Sequence, residues 1–557
     1  MPSSYFKKYG LVVFCTTILI FLFGRNLNPF DNSTFLGHDE TQPARIIEFA
    51  FNIQNGHIPP RISTHMSFGM GYPIFNYYAP TAYWITSTLL LSGLHVTAAL
   101  EVSYLFAILS AFIAMYLFLK KYFDEIPSLI GGLAYVSSPF VAVDIFVRGN
   151  LAEMWFFALF PLGLWILTIV SKRSIGIAAI ILALVFTSHN IFSLVSVPLF
   201  FAFTLIQKKR IWGLASIILG LVLSSYFLVS ALSELKLVQA SDIATITQYQ
   251  DHFLCPWQVW YSPWGFGGSS VGCINDGMSF MLGKIQILAG LAGLGYFFYR
   301  LKESKKSFSW ITFGIAALLI GSFFMTTEYS LLLWKALKPI LSVFQFPWRF
   351  LLFVIFGLSF FTAYLLDTLP KTWKLLAAGM IFIGICYLNP KFFTGNMMNA
   401  QTVIETFSSR SYIYNTAAFK VAEYLPITAD YEYWRSLEGT KAETSGPIAS
   451  QPDQEVKVLR NEPFEKIALV RSQQDIALNI HYAPYWIILR EGIQIIPTVF
   501  DKLGRPIIDV SSAQFETITI KYRETMIEHV ANGITALGGI ILLIYSYIHL
   551  RWHRKKT

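Results

Sequence analysis

Apolar stretches of membrane-crossing length recur along this chain, and short runs of Lys and Arg sit at their ends. That alternation constrains the fold more than any other feature. A backbone placed in hydrocarbon must satisfy its own hydrogen bonds, and an apolar segment of ~20 residues does so as a helix. Read this way, the sequence predicts twelve spans, at roughly 10–24, 98–119, 127–146, 151–170, 174–188, 190–207, 211–234, 284–300, 308–326, 347–366, 372–389 and 527–550. The basic runs are Lys7-Lys8, Lys120-Lys121, Lys172-Arg173, Lys208-Lys209-Arg210, Lys302 with Lys305-Lys306, and Arg551 to Lys556. Cytoplasmic loops carry such excess positive charge. A turn at Ser188-His189-Asn190 keeps Lys172-Arg173 and Lys208 to Arg210 on one side.

One further stretch, roughly 78–95, is left out of the count, because a span there would invert every later cluster. With Pro80, Tyr83, Trp84 and a closing His95 it reads as an interfacial helix. Lys335 and Lys338 are exceptions, falling in the outer segment 327–346. No small-residue cleavage site follows the first apolar segment, which is read as an uncleaved span. Mean hydropathy is +0.52, and only 13% of residues are charged. That is too little charge to cover a soluble protein of this size. The net charge of +9 is explained by the basic span ends and does not imply nucleic acid.

This topology sends four regions to the extracytoplasmic face: the loop 25–97, the Arg148-Gly149-Asn150 turn with Glu153, the loop 236–283, and the segment 390–526. The expected fold is a mainly α polytopic membrane protein with a small mixed, β-rich outer domain. Residues 1–389 form the transmembrane module, 390–526 the outer domain, and 527–557 a last helix with a basic tail. Within 390–526, Ser409 to Tyr433 reads as helical. Strand-like alternation follows at Lys466 to Val470, Tyr485 to Leu489 and Thr517 to Tyr522. Cys15 and Cys386 fall in apolar spans, whereas Cys255 and Cys273 bracket an outer, Gly-rich aromatic loop where a disulfide is expected.

Ionisable residues at membrane depth are costly, so they are paired or functional. Asp39 and Glu40 follow the first span and open a helical stretch, Thr41 to Asn55. They serve either as helix-start acids or as a base for an acceptor hydroxyl. His38, His57 and His65 share that loop, at spacings that match no metal pattern. Arg148 either closes its turn by pairing with Asp144 or Glu153, or grips a phosphate through its guanidinium fork. His189 and Arg349, each at the outer start of an apolar segment, are candidates for contact with an anionic head group. No phosphate-cradling loop followed by Lys-Ser/Thr, Ser-based nucleophile elbow or Cys-rich metal cluster occurs, so nucleotide-driven pumping has no support.

The run Gly37-His38-Asp39-Glu40, then Gly56 to Arg61, Gly69-Met70-Gly71-Tyr72-Pro73, Pro80 to Trp84, and Ser137-Ser138-Pro139 ahead of Arg148 to Glu153 resembles the GT-C superfamily. These are membrane glycosyltransferases that use polyprenyl-phosphate sugars. With His189-Asn190, Gln345 to Arg349 and Glu423 to Pro426, the chain is similar to a bacterial branch labelled "6-pyruvoyl-tetrahydropterin synthase-related", although nothing in it resembles a soluble pterin synthase. The resemblance implies an inverting glycosyltransferase of the inner membrane with an extracytoplasmic site. Its donor would be a polyprenyl-phosphate sugar and its acceptor a glycan, lipid or protein hydroxyl. Asp39 matches the family's base and Glu153 its second outer acid, while a divalent metal is left open. The rival readings are a flippase without chemistry and a family member that only binds glycans.

Overall fold

The computed structural model describes residues 2–240, 248–303, 309–440, 446–449, 454–510 and 512–554. Long helices dominate up to residue 388, and strands gather between 454 and 522. Val96–Leu119 is the longest of the early helices, with 24 residues. At a rise of 1.5 Å per residue it measures about 36 Å, enough for a hydrocarbon core of ~30 Å.

Among the described residues, five helices are long and apolar enough to cross a membrane: Val96–Leu119, Leu151–Ile169, Pro347–Thr368, Lys371–Phe392 and Met526–Tyr547. Two bent pairs, Glu125–Val136 with Pro139–Arg148 and Arg210–Leu223 with Ser225–Leu237, raise the number to seven. The expected count of twelve is therefore not reached. The reasons are local. Gly10–Phe23, Asn190–Leu205 and Trp310–Thr326 are apolar but short, and Ile175–Phe186 has 12 residues. Lys284–Glu303 has the length but carries Arg300, Lys302 and Glu303 in its last turn. Within the excluded stretch 78–95, the helix Thr81–Leu91 has 11 residues, about 16 Å, and is too short to cross.

The two ends of the helices differ in chemistry. At one end Lys374 pairs with Asp124 at 2.8 Å, and Lys120 with Glu125 at 3.0 Å. The hydroxyl of Tyr545, late in the last helix, donates to the Lys172 carbonyl at the same end. At the opposite end lie the start of Val96–Leu119, the end of Pro139–Arg148 and the starts of Leu151–Ile169 and Pro347–Thr368. Residues 33–35 pair there with residues 397–399 as a two-stranded ribbon.

The polar segment 390–526 divides between two cores. Its helical part, including Tyr412, Phe419, Tyr424 and Trp434, packs into the main apolar core. Its strands enclose a separate core with Val470, Trp486, Ile488 and Ile518. The larger sheet is antiparallel, in the order 454–462, 465–472, 512–522, 486–490, 493–495. It is tied to the first loop: Ile62 belongs to the sheet's core, and the His481 amide donates to the Met70 carbonyl at 2.9 Å. The Lys466 ammonium, buried with no ion-pair partner among the described residues, donates to the carbonyls of Gly69 and Asn479. Burial lowers its pKa to about 8.

Candidate active site

Two glycines bring the first loop onto the Arg148 turn. Gly149 ends a π-helical turn, Val143–Arg148, at φ +67°. A Cβ on Gly37 would fall 2.6 Å from the Gly149 nitrogen, nearer than a real Cβ can approach. The close passage lets the His38 amide donate to the Val147 carbonyl at 2.8 Å and the Asp39 amide to the Arg148 carbonyl at 2.9 Å. Asp39 and Arg148, 109 positions apart in the chain, thus share one piece of backbone scaffolding.

The Asp39 carboxylate is surrounded by donors. Arg45 donates from Nη2 to Oδ1 at 2.7 Å and from Nη1 to Oδ2 at 3.1 Å. The Thr41 hydroxyl donates to Oδ1 at 2.9 Å, and Gln42 Nε2 to Oδ2 at 2.7 Å. Four donors fill the acceptor positions that a carboxylate offers. Arg45 is buried at 2% exposure, whereas the Asp39 side chain keeps 21%. Glu40 turns another way, accepting from the Tyr412 hydroxyl at 3.2 Å and pairing with Lys420 at 3.5 Å.

Arg148 is claimed twice. It pairs with Asp144 on its own helical turn and with Glu153 at 2.7 Å. Both acids are buried, at 1% and 0% exposure. Asn150 caps the next helix by accepting from the Glu153 amide, and its own side chain donates to the Glu153 carboxylate, both at 3.0 Å. His189 Nε2 stands 3.9 Å from Glu153. The Arg148 guanidinium also lies over the Trp348 ring at 4.6 Å. Such a guanidinium is held as part of the scaffold.

Arg349 differs. It donates from Nη1 to the Phe344 carbonyl at 2.8 Å and to Gln345 Oε1 at 3.2 Å. Among the described residues no carboxylate lies within ion-pair distance of it, and its buried Nε has no partner. The turn that presents it is strained, with Gln345 at φ +61°, ψ −45°. A non-glycine residue persists in such a conformation only where its surroundings enforce it.

Asp39, Arg148 and Arg349 line one cavity of about 740 Å³, of the size that holds a small-molecule ligand. Arg45, Tyr78, His252, Lys420 and Glu423 line it too, and were not singled out as site residues from the sequence. Glu40, Glu153 and His189 are not in its lining. The loop that supplies Gly268, Ser269 and Met278 to the wall is clamped by the Cys255–Cys273 disulfide. Ser269 links His252 at 2.8 Å to the Trp348 indole at 3.2 Å. Glu423 is half-buried in the wall on a rigid segment: the Tyr72 hydroxyl donates to the Val421 carbonyl at 2.5 Å, and Tyr424 stacks on Tyr77. Burial raises the pKa of the Glu423 carboxyl, although a backbone hydrogen bond, Arg45 and Arg349 pull it the other way.

The donor set does not fit a divalent cation. Asp39 is saturated, and Glu153 is enclosed by Arg148 and Asn150. No group of three potential His, Cys, Asp or Glu ligands is found among the described residues. The three first-loop histidines stand apart: His38 donates to the Phe266 carbonyl, His65 pairs with Glu48 at 2.8 Å, and His57 stacks on Phe464.

No protein-family model and no curated protein matches the chain. A solved structure does. The crystal structure of the Archaeoglobus fulgidus oligosaccharyltransferase in the apo form is similar, with a TM-score of 0.35 and 13% sequence identity. The match covers 81% of this chain and 62% of that one, so this chain spans less than two thirds of that protein's length. What the cavity does is argued below from its own residues.

Proposed function

We propose that the protein is a membrane glycosyltransferase that moves a sugar from a polyprenyl-phosphate carrier to an acceptor hydroxyl on the extracytoplasmic side of the membrane. One observation carries the reading. Arg349, a guanidinium with no carboxylate within ion-pair distance among the described residues, shares a cavity with carboxylates and aromatic rings, at the end of the helices opposite the basic turns. Arg349 receives the lipid phosphate with charge-assisted hydrogen bonds and stabilises the charge that develops as the phosphate leaves. Arg148 fixes the floor of the site and the orientation of Trp348. Tyr78, Phe346 and Trp348 line the cavity with rings packed against Arg45, Arg349 and Arg148, and so hold those guanidinium groups in place around a bound sugar phosphate. Asp39 takes part in proton transfer only if Thr41 or Gln42 gives up its hydrogen bond, because its acceptor positions are otherwise full. The sugar–phosphate bond supplies the driving force, so no nucleotide is required.

The test uses purified protein in liposomes with undecaprenyl phosphate carrying a radiolabelled hexose or pentose, plus a membrane extract as the source of acceptors. Release of undecaprenyl phosphate with label passing to an acceptor supports the reading. Intact donor moved across the bilayer without cleavage would replace it with the flippase.

A further inference from the structure

We infer that Glu423 is the group that takes the proton from the acceptor hydroxyl, an inference that rests on the glycosyl-transfer reading above. A base needs a free acceptor position facing the substrate. Asp39 has none while Arg45, Thr41 and Gln42 hold it. Arg148 and Asn150 occupy the buried Glu153, and Glu40 faces Tyr412 and Lys420. Asp251 and Glu423 both line the cavity, and Glu423 is the one that lies in the field of Arg45 and Arg349, where the phosphate would depart. Its carboxylate meets its own backbone amide, and no other described residue makes an ion pair or side-chain hydrogen bond with it. Its segment enters the cavity wall between two anchors, the Tyr72–Val421 hydrogen bond and the amide of Gln239, which donates to the Leu425 carbonyl at 2.9 Å. The carboxylate therefore projects from a fixed backbone, as a base must if it is to meet a bound hydroxyl. The rise of its pKa on burial favours proton uptake further.

The step balances without a co-reactant. The acceptor oxygen forms a bond to the anomeric carbon as the bond from that carbon to the phosphate oxygen breaks. The departing electron pair stays on the polyprenyl phosphate, next to Arg349, and the hydroxyl proton passes to the Glu423 carboxylate, which later loses it to water.

The test compares wild type, Glu423→Gln and Glu423→Asp, using undecaprenyl phosphate for binding and labelled undecaprenyl-phosphate sugar for turnover. Glu423→Gln should slow release of undecaprenyl phosphate about 10²–10⁴-fold. Its melting temperature should stay at the wild-type value, and its affinity for undecaprenyl phosphate should be equal or tighter. Glu423→Asp, which keeps the acid on a shorter arm, should recover part of the rate. If Glu423 merely balances the neighbouring guanidinium groups, Glu423→Gln tightens undecaprenyl phosphate binding and leaves release within a few-fold of wild type. That result overturns the inference and leaves the transferase reading intact. If Glu423→Gln fails to fold, a Glu423→Asp rate equal to that of a folded Glu423→Ala overturns it as well. A wild-type protein that releases nothing from any donor overturns the transferase reading and this inference with it.

Discussion

Replacing Arg349 and Arg148 separately should have opposite consequences, although the sequence presents both as arginines at the outer ends of apolar segments. Arg349 spends Nη1 on the Phe344 carbonyl and Gln345 and, with Nε buried, keeps the two N–H bonds of Nη2 for a ligand. A hydrogen bond to a charged group contributes about 1.5–3 kcal/mol, so two such bonds to a phosphate give about 3–6 kcal/mol. At 1.4 kcal/mol per decade, Arg349→Ala should weaken undecaprenyl phosphate binding about 10²–10⁴-fold. Arg349→Lys keeps the charge without the fork and should lose about 10–100-fold. Neither should shift the melting temperature much, since no carboxylate among the described residues lies within ion-pair distance of Arg349. Arg148→Ala strands Asp144 and Glu153, both buried. Breaking a buried pair costs roughly 3–5 kcal/mol of stability, so this variant should melt early, while its folded fraction binds undecaprenyl phosphate almost normally. Quenching of tryptophan fluorescence reads binding, because Trp348 lines the cavity, and unfolding in detergent reads stability. Wild-type affinity in Arg349→Ala would refute the reasoning, as would lost affinity with an unchanged melting temperature in Arg148→Ala.

Asp39→Asn removes the counter-charge of the buried Arg45, so it should destabilise the protein by roughly 3 kcal/mol and slow transfer; an unchanged melting temperature would show that the pair is not holding the loop. Lys466 titrates near 8 in the fold against 10.5 in the unfolded chain. Between those values the unfolded chain binds a proton that the fold does not, so stability should climb with pH from about 8 to 10.5, by roughly 3 kcal/mol. Hydrogen exchange in the strand Glu465–Ser472 should follow that climb, and Lys466→Met should flatten it. Cysteines introduced as Lys121→Cys and Ile493→Cys, with Cys15 and Cys386 replaced by Ser, should label from opposite faces of sealed vesicles; labelling of both from one face would refute the topology.

Several parts of the site were legible in the chain because they break a pattern. Arg148 and Arg349 are ionisable residues where apolar segments end, and such residues need a reason to be there; Asp39 opens an acidic pair in the loop after the first span. Arg45 and Lys420 break no pattern, and Glu423 enters the sequence reading only within the run Glu423 to Pro426, with no role of its own. Arg45 sits in the first turn of the amphipathic helix Gln42–Gln54, where it looks like any solvent-facing charge. Lys420 and Glu423 lie in a polar segment more than 370 positions from Asp39, and nothing in the local spacing says that this segment enters the cavity wall. The shortfall from twelve spans has a related origin: hydropathy marks apolar stretches but neither where their helices stop short, as in Ile175–Phe186, nor the breaks at Ser137-Ser138 and Ser224 that bend two of them.

The sequence by itself determined the mainly helical class, the positions of the apolar segments, the strands after residue 454 and the pair of cysteines able to meet across one loop. These follow from composition and short-range periodicity, which act through the backbone nearby. Only the tertiary structure decided which guanidinium pairs with carboxylates and which, among the described residues, does not, that Asp39 is saturated by donors, and that Glu423 lines the same cavity. Pairing is a competition among charges brought together from distant parts of the chain. Its outcome depends on distances of a few ångströms that no spacing along the sequence encodes.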